Sequence, residues 1–226
     1  MARKNQPVIV TVMRSGGVYS PEHVRWLHRQ FPRHYSSACL TDVAVAGVDC
    51  FELEYGWPKW WSKLELFNPK GPLGRRRLFF IDLDSVIVGD IRDLLAVRPY
   101  TMLTDFYRET QNDPPAASAV MSIPVEVKAP IWHQFMLDPE RHMRECTAPN
   151  RHGDQGFIGT TGIGAQRWQD VMPGTVVSFK KDVAQKGRYS RAVGTGRVPE
   201  SARIVCFHGS PRPWESGESW VPPMVT

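Results

Sequence analysis

Two aspartates stand two residues apart in "LFFIDLDSVIVGD" (Leu78–Asp90), directly after a run of large apolar residues. An unpaired carboxylate is costly to bury. Asp82 and Asp84 are therefore expected at the exposed end of a buried strand, with something positive facing them. Side chains at i and i+2 of a strand share a face, so both carboxylates can reach one point beyond the strand's carboxyl end. Open α/β sheets bind their ligands at that edge. Two close carboxylates repel each other and favour a divalent cation between them, and oxygen ligands suit Mg or Mn. A loop carrying two solvated acids has the same spacing, and spacing alone leaves both readings open.

Elements that could position such a pair are readable on either side. "PVIVTVM" (Pro7–Met13) is apolar and β-branched and is bounded by Pro and by "RSGG", which predicts a buried strand running into a loop. In "SPEHVRWLHRQF" (Ser20–Phe31), Ser20 is a candidate N-cap and Pro21 suits the first helical position; Val24, Leu27 and Phe31 share one helical face. Strand, glycine-containing loop and helix make an α/β opening. "DVAVAGVDCFEL" (Asp42–Leu53) is expected as a second strand bent at Gly47. "PKWWSKLELF" (Pro58–Phe67) is helical by pattern, with Trp61, Leu64 and Phe67 on one side. Downstream, "DIRDLLAV" and "VEVKAPIWHQFML" predict helices, and "YTMLTDF", "AASAVMSI", "TVVSF" and "ARIVCF" predict strands. The basic, poorly patterned segment from Lys180 to Ser201 is expected to be a mobile loop, and the prolines near the C-terminus favour a tail wrapped over the surface.

Length and composition narrow the class. A chain of 226 residues defaults to one domain with a sizeable core, and 42% hydrophobic with 23% charged residues is ordinary for a soluble globular protein. The net charge of +5 suggests an anionic ligand. Cys39, Cys50, Cys146 and Cys206 form no zinc spacing and are expected as reduced thiols. The apolar run before Arg14 is too short for a signal sequence or a membrane span, so the expected location is cytoplasmic, or the host cytoplasm if the chain is phage-encoded.

An ordered series of segments resembles the retaining glycosyltransferases of the GT-A fold, in particular family 8, the group of glycogenin and bacterial galactosyltransferases. "GGVYSPEHVRWL" resembles the family's first nucleotide-binding loop and helix, "WWSKLELF" its Ser-Lys-Leu helix and "FFIDLDSVIVGDI" its DxD strand. "AASAVMSI" occupies the place of the Asn-Ser-Gly strand, "GDQGFI" carries the Asp-Gln pair, and "FHGSPRPW" resembles the C-terminal His-Gly-x-x-Lys-Pro-Trp motif. The order of DxD, DQ and HGxxRPW together is fairly specific. The implied fold is a GT-A, Rossmann-like mixed sheet flanked by helices, one domain over residues 1–226 with a Pro-rich tail from about residue 209. The implied reaction moves a sugar from a nucleotide-sugar, a UDP-sugar by analogy, to an acceptor hydroxyl.

The resemblance also implies roles. Asp82, Asp84 and His208 would hold a metal bridging the donor's two phosphates, and a His ligand favours Mn over Mg. Lys63 and the metal would neutralise charge growing on the departing diphosphate. Arg212 stands where the family has Lys and can fork onto phosphate oxygens, beside Gly209 of the same motif. Tyr19 would stack on the donor base, with Thr11 and Arg14 lining the nucleotide pocket. Asp105 and Ser118 would face the ribose or sugar. Asp154 would hold donor-sugar hydroxyls, and Gln155 would lie beneath the anomeric carbon. Bland alternatives stand beside these: Lys63 snorkelling from a helix, Tyr19 in the core, His208 on the surface, Asp154 as a helix cap. Trp60, Trp61 and Trp214 are read as packing residues rather than acceptor platforms.

The sequence departs from the family where Asn-Ser-Gly becomes Ala117-Ser118-Ala119, which loses an amide near the donor sugar. Its length leaves little room for an acceptor domain, so a large acceptor is expected on the open face. The basic balance, Arg75–Arg77 and "KKDVAQKGRYSR" point to a polyanion, and a hydroxymethylated base in DNA is one candidate, as for some phage enzymes. Saccharide, lipid and protein acceptors are the alternatives. Two readings compete. "FFIDLDSVI" superficially resembles the nucleophile motif of haloacid-dehalogenase phosphatases, but that motif normally lies near the N-terminus and continues into a Gly-Thr turn, not Ser85-Val86. A non-catalytic nucleic-acid-binding protein would suit the charge, yet no helix-turn-helix, zinc-finger or RNP signature is present.

Overall fold

The computed structural model describes residues 6–148 and 151–224. In chain order the elements are β1 (Val8–Met13), α1 (Pro21–His28), β2 (Ser37–Thr41), β3 (Cys50–Glu52), a 3-10 helix (Lys59–Phe67), β4 (Leu78–Ile81), β5 (Ser85–Ile87), α2 (Arg92–Ala96), β6 (Thr101–Thr104) and β7 (Ala116–Ile123). There follow α3 (Val125–Met136), α4 (Pro139–Glu145), β8 (Thr147–Ala148), β9 (Arg151–His152), α5 (Gly153–Ile158), β10 (Gln166–Arg167), α6 (Trp168–Val171), β11 (Val176–Ser178) and β12 (Ile204–Cys206). The main sheet has the order β10-β6-β7-β4-β1-β2-β3, and a second sheet has the order β11-β12-β5.

Strands β1, β2, β3 and β4 run parallel, whereas β7 is antiparallel to β4 and β6. The chain leaves β1 towards β2 and β3, then returns through the 3-10 helix to place β4 on the other side of β1. The order therefore reverses between β1 and β4, and a crevice opens at their carboxyl ends. Both faces of the sheet are covered. Ile9, Phe79, Ile81 and Val120 contribute to one apolar cluster, Val10, Phe80, Met121 and Ile123 to the other. That alternation is the period of two expected of a strand buried on both sides.

Several elements differ from the sequence expectation, each for a physical reason. Asp42–Leu53 is not one strand. The preceding residues Ser37–Thr41 form β2, which lacks a β-branched run, and β3 spans only Cys50–Glu52. Between them, Asp42 accepts hydrogen bonds from the Ser15 amide (2.8 Å) and hydroxyl (2.7 Å), and Gly47 turns the chain with φ of 76°. The Pro58–Phe67 helix is a 3-10 helix. The spacing of Trp61, Leu64 and Phe67 is three throughout, the period at which 3-10 side chains eclipse. Helix α1 ends at His28, with Phe31 buried beyond it.

The stretch read as one DxD strand is two. Strand β4 ends at Ile81, residues 82–84 turn, and β5 joins the second sheet. The Lys180–Ser201 segment is not a loose loop. A π-helical turn (Phe179–Val183) starts it, Val183, Ala184 and Ala192 are buried, and the Gly196 amide donates to the Val183 carbonyl at 2.8 Å. A Cβ on Gly194 would lie 2.4 Å from the Asp182 carbonyl oxygen, so the backbones pack too closely for a side chain.

Candidate active site

The crevice at the ends of β1 and β4 is a cleft of about 690 Å³. Arg14, just past β1, and Asp82 and Asp84, just past β4, line it together with Tyr19, Lys63, Gly209 and Arg212. The positive groups expected opposite the aspartates are two, one for each carboxylate. Lys63, carried by the 3-10 helix, has its ammonium 2.8 Å from the Asp82 carboxylate. Arg212 makes a short ion pair with Asp84, which is only 7% exposed. The same guanidinium donates to the Tyr19 hydroxyl at 2.8 Å and lies over its ring, 5.2 Å from the centroid. Arg14 is anchored by the Tyr55 carbonyl (2.9 Å) and by Asp42 (3.6 Å).

Lys63 joins four elements. Besides Asp82 it reaches the Ser118 hydroxyl of β7 (3.4 Å) and Asp154 of α5 (3.9 Å). Burial opposes its charge, yet the carboxylates of Asp154 and Asp82 outweigh burial and hold its proton more tightly than an ordinary lysine does. Burial lifts the Asp82 pKa; Lys63 pulls it back and Asp84 adds to the rise, leaving it above the usual carboxylate range. Burial also raises the Tyr19 phenol. Asp154 is 4% exposed, and among the described residues its Oδ2 is the buried side-chain oxygen or nitrogen without a hydrogen-bond partner. The same oxygen lies 3.9 Å from the Lys63 ammonium, within ion-pair reach but beyond hydrogen-bond distance, so its acceptor capacity is unfilled.

Other residues singled out in the sequence sit elsewhere. Thr11 is fully buried under α1, 2.9 Å from His28 Nε2, and does not line the cleft. Asp105 turns onto its own loop, accepting from the Tyr107 amide (2.8 Å) and meeting Arg108 at 3.4 Å. Ser118 is buried beside Lys63, and its amide donates to Gln155 Oε1 at 3.3 Å. Gln155 borders a second cavity of about 310 Å³ rather than the main cleft. His208 stacks on Phe106 at 5.7 Å, with Nε2 2.7 Å from the Ser178 hydroxyl. Burial pushes its pKa down to about 4.

The donor set meets the requirements of a hard divalent cation in part. Asp82 and Asp84 open their oxygens onto one cleft, but among the described residues no group of three or more His, Cys, Asp or Glu is gathered to hold a metal. His208 Nε2 is taken up by the Ser178 hydroxyl, and among the described residues Asp82, Asp84 and His208 do not gather into a metal-holding group. Trp60, read from the sequence as a packing residue, instead lines the cleft and is exposed, because it falls on a different side of the 3-10 helix from the buried Trp61; Lys59 lines the cleft unforeseen. Trp61 is buried and Trp214 packs on His23 and Trp26, as read from the sequence.

No protein-family model and no curated protein matches this sequence. Solved structures do match its fold. A mutant structure of LgtC superposes with a TM-score of 0.61 at 11% identity, covering 92% of this chain and 90% of that one. GlyE of Streptococcus pneumoniae, a glycosyltransferase, gives 0.62 at 12% identity over 94% of this chain and 57% of its own. A second LgtC structure, described as a galactosyltransferase with donor and acceptor sugar analogues, gives 0.58 at 11% identity. The chain therefore has the mixed α/β fold of GT-A glycosyltransferases, with a seven-stranded sheet flanked by helices. Among the described residues no helix is long and apolar enough to cross a membrane.

Proposed function

We propose that this chain is a retaining glycosyltransferase that moves a sugar from a nucleotide-sugar, a UDP-sugar, to an acceptor hydroxyl. One observation carries the reading. A cleft at the switch point of a GT-A sheet is lined by four basic side chains, Arg14, Lys59, Lys63 and Arg212, and Lys63 links it to the buried Asp154, whose Oδ2 makes no hydrogen bond. A nucleoside diphosphate supplies the anionic groups for the cations, and a sugar hydroxyl supplies the donor for Asp154.

In this reading Arg212 forks onto phosphate oxygens and Tyr19 borders the base. Lys63 and Arg212 stabilise the charge that grows on the diphosphate as the glycosidic bond breaks. Asp154 orients the donor sugar. Gln155, a poor nucleophile, borders the neighbouring cavity, so the acceptor attacks from the face the diphosphate leaves and passes its proton to the departing phosphate oxygen. Asp82 and Asp84, with His208 as the third candidate, would hold Mn or Mg, which would supply further charge neutralisation to the leaving diphosphate.

The test is donor turnover with a panel of nucleotide-sugars, with and without chelator, followed by product NMR. The expected result is turnover of a UDP-sugar that chelation abolishes and Mn restores, with an α-linked product from an α-linked donor. Full turnover in excess chelator overturns the metal, a β-linked product overturns retention, and turnover of phosphate esters alone favours the phosphatase reading. A hydroxymethylated base in duplex DNA, the acceptor candidate read from the sequence, has the basic balance alone in its favour, a net charge of +5. It is checked by including that DNA among the acceptors at two salt concentrations.

A further inference from the structure

Trp60 and Trp61 are adjacent in sequence and meet different surroundings. Trp61 is buried, stacked on Phe135 at 5.8 Å. Trp60 is 37% exposed and presents its indole to the main cleft. Its exposed ring is nevertheless held in place. The Lys59 ammonium lies 5.6 Å from the ring centroid and the His152 ring 5.1 Å away. Its nitrogen-bearing edge presses on Gly153, where a Cβ would come within 2.5 Å of the indole nitrogen. Gly153 opens α5 and directly precedes Asp154 and Gln155, so the indole rests against the backbone that positions both.

His152 and Gln155 also line the second cavity, of about 310 Å³. Trp60 therefore stands at the divide between two spaces, with the cationic cleft on one side and the second cavity on the other. Arg108 in that cavity is paired with Asp105, and Arg167 is accompanied by Asp113. The lining mixes donors and acceptors in place of one sign of charge. It suits a ligand rich in hydroxyls better than a polyanion, and its volume is at the lower end of small-molecule sites.

We propose that Trp60 is the platform on which the acceptor is positioned, and that the acceptor is a saccharide. The apolar C–H face of a pyranose ring packs on the indole, whose π face carries partial negative charge. Its hydroxyls hydrogen-bond to Gln155, Asp113 and Arg167. That the saccharide is an acceptor rests on the glycosyltransferase reading; that it binds at Trp60 does not.

The experiment follows the indole N–H signals of the eight tryptophans by NMR in the full chain. The signal lost in Trp60→Phe identifies Trp60. Maltose, lactose and cellobiose are titrated separately, as is an oligonucleotide containing hydroxymethylcytosine. At least one disaccharide should move the Trp60 signal. Trp60→Ala should weaken its binding about tenfold, and Trp60→Phe should keep it within about threefold, because an aromatic face remains. The inference is overturned if no disaccharide moves the signal, or if only the oligonucleotide does. Nucleotide-sugar turnover by the same samples reports on the enzyme assignment: turnover with an unmoved Trp60 signal sinks the platform alone. A saccharide shift without any turnover sinks the enzyme assignment and leaves the binding site standing.

Discussion

Lys63, in the wall of the cleft, holds two carboxylates unequally. Asp82 lies 2.8 Å from its ammonium, whereas the buried Asp154 Oδ2 lies 3.9 Å away and makes no hydrogen bond. Removing the cation leaves the buried Asp154 and the half-buried Asp82 uncompensated, so Lys63→Met should lower stability by about 3–5 kcal/mol, read from urea denaturation. Asp154→Asn removes one of the two carboxylates that hold Lys63 charged but leaves Asp82 in place, so the urea midpoint should fall less than in Lys63→Met, while transfer falls about 100-fold or more. An Asn variant with undiminished transfer would falsify the role given to Asp154. At this scale the spacing of Asp82 and Asp84 made a facing positive charge expected, but not that each would take its own cation. The His208 motif was legible, whereas its rotation onto Ser178 was not, because that bond joins residues 30 positions apart.

Two elements owe their placement to buried basic side chains. Lys128, fully buried on α3, donates to the carbonyls of Leu73 and Arg76, both at 2.7 Å, and so ties down the loop that delivers β4. Burial pushes its amine down to about 7. Lys128→Met should cost about 1–3 kcal/mol, because two buried carbonyls lose their donor. Hydrogen exchange should quicken most at the amides of residues 71–76; unchanged exchange there would remove this loop anchor from the account. His28, at the end of α1, is held down to about 4 by burial, against an ordinary 6.5. Between these values the unfolded chain binds more protons than the folded one. Its contribution to stability is complete above about pH 6.5 and is lost as pH falls towards 4. A His28→Gln variant should therefore lose less stability than the parent between pH 7 and pH 5, and equal losses would show that His28 does not govern that slope.

Across the whole molecule, the C-terminal segment completes the core beneath the site. Trp220 lies 5.9 Å from Phe207 and 6.3 Å from Phe179, and the Trp26 indole donates to the Pro222 carbonyl at 2.8 Å. Ending the chain after Glu218 removes both contacts. The melting temperature should fall, by the equivalent of about 2–4 kcal/mol, through lost apolar burial and an unsatisfied indole N–H. A shortened chain as stable as the parent would mean that these contacts contribute nothing to folding. The tail prolines pointed to a surface wrap, and proline spacing carries no information about which aromatic rings it would cover.

What the sequence determined by itself is local. Apolar runs of β-branched and aromatic residues set β1, β4 and β7, Ser20-Pro21 set the start of α1, and the spacing of three at Trp61, Leu64 and Phe67 marked an amphipathic helical turn. The ordered DxD, DQ and HGxxRPW segments made the GT-A fold expected, and the sheet order agrees. Tertiary structure alone decided which charges meet. Lys63 and Asp82 are 19 residues apart and Asp84 and Arg212 are 128 apart, and the second pair is brought together where β12 pairs with β5 and the Phe207 amide donates to the Asp84 carbonyl. It also decided which of two neighbouring tryptophans faces the cleft. Period puts Trp61 on the buried side with Leu64 and Phe67 but does not say what Trp60 faces, and Trp60 is seated by close backbone approach at Gly153, a contact that no local pattern encodes.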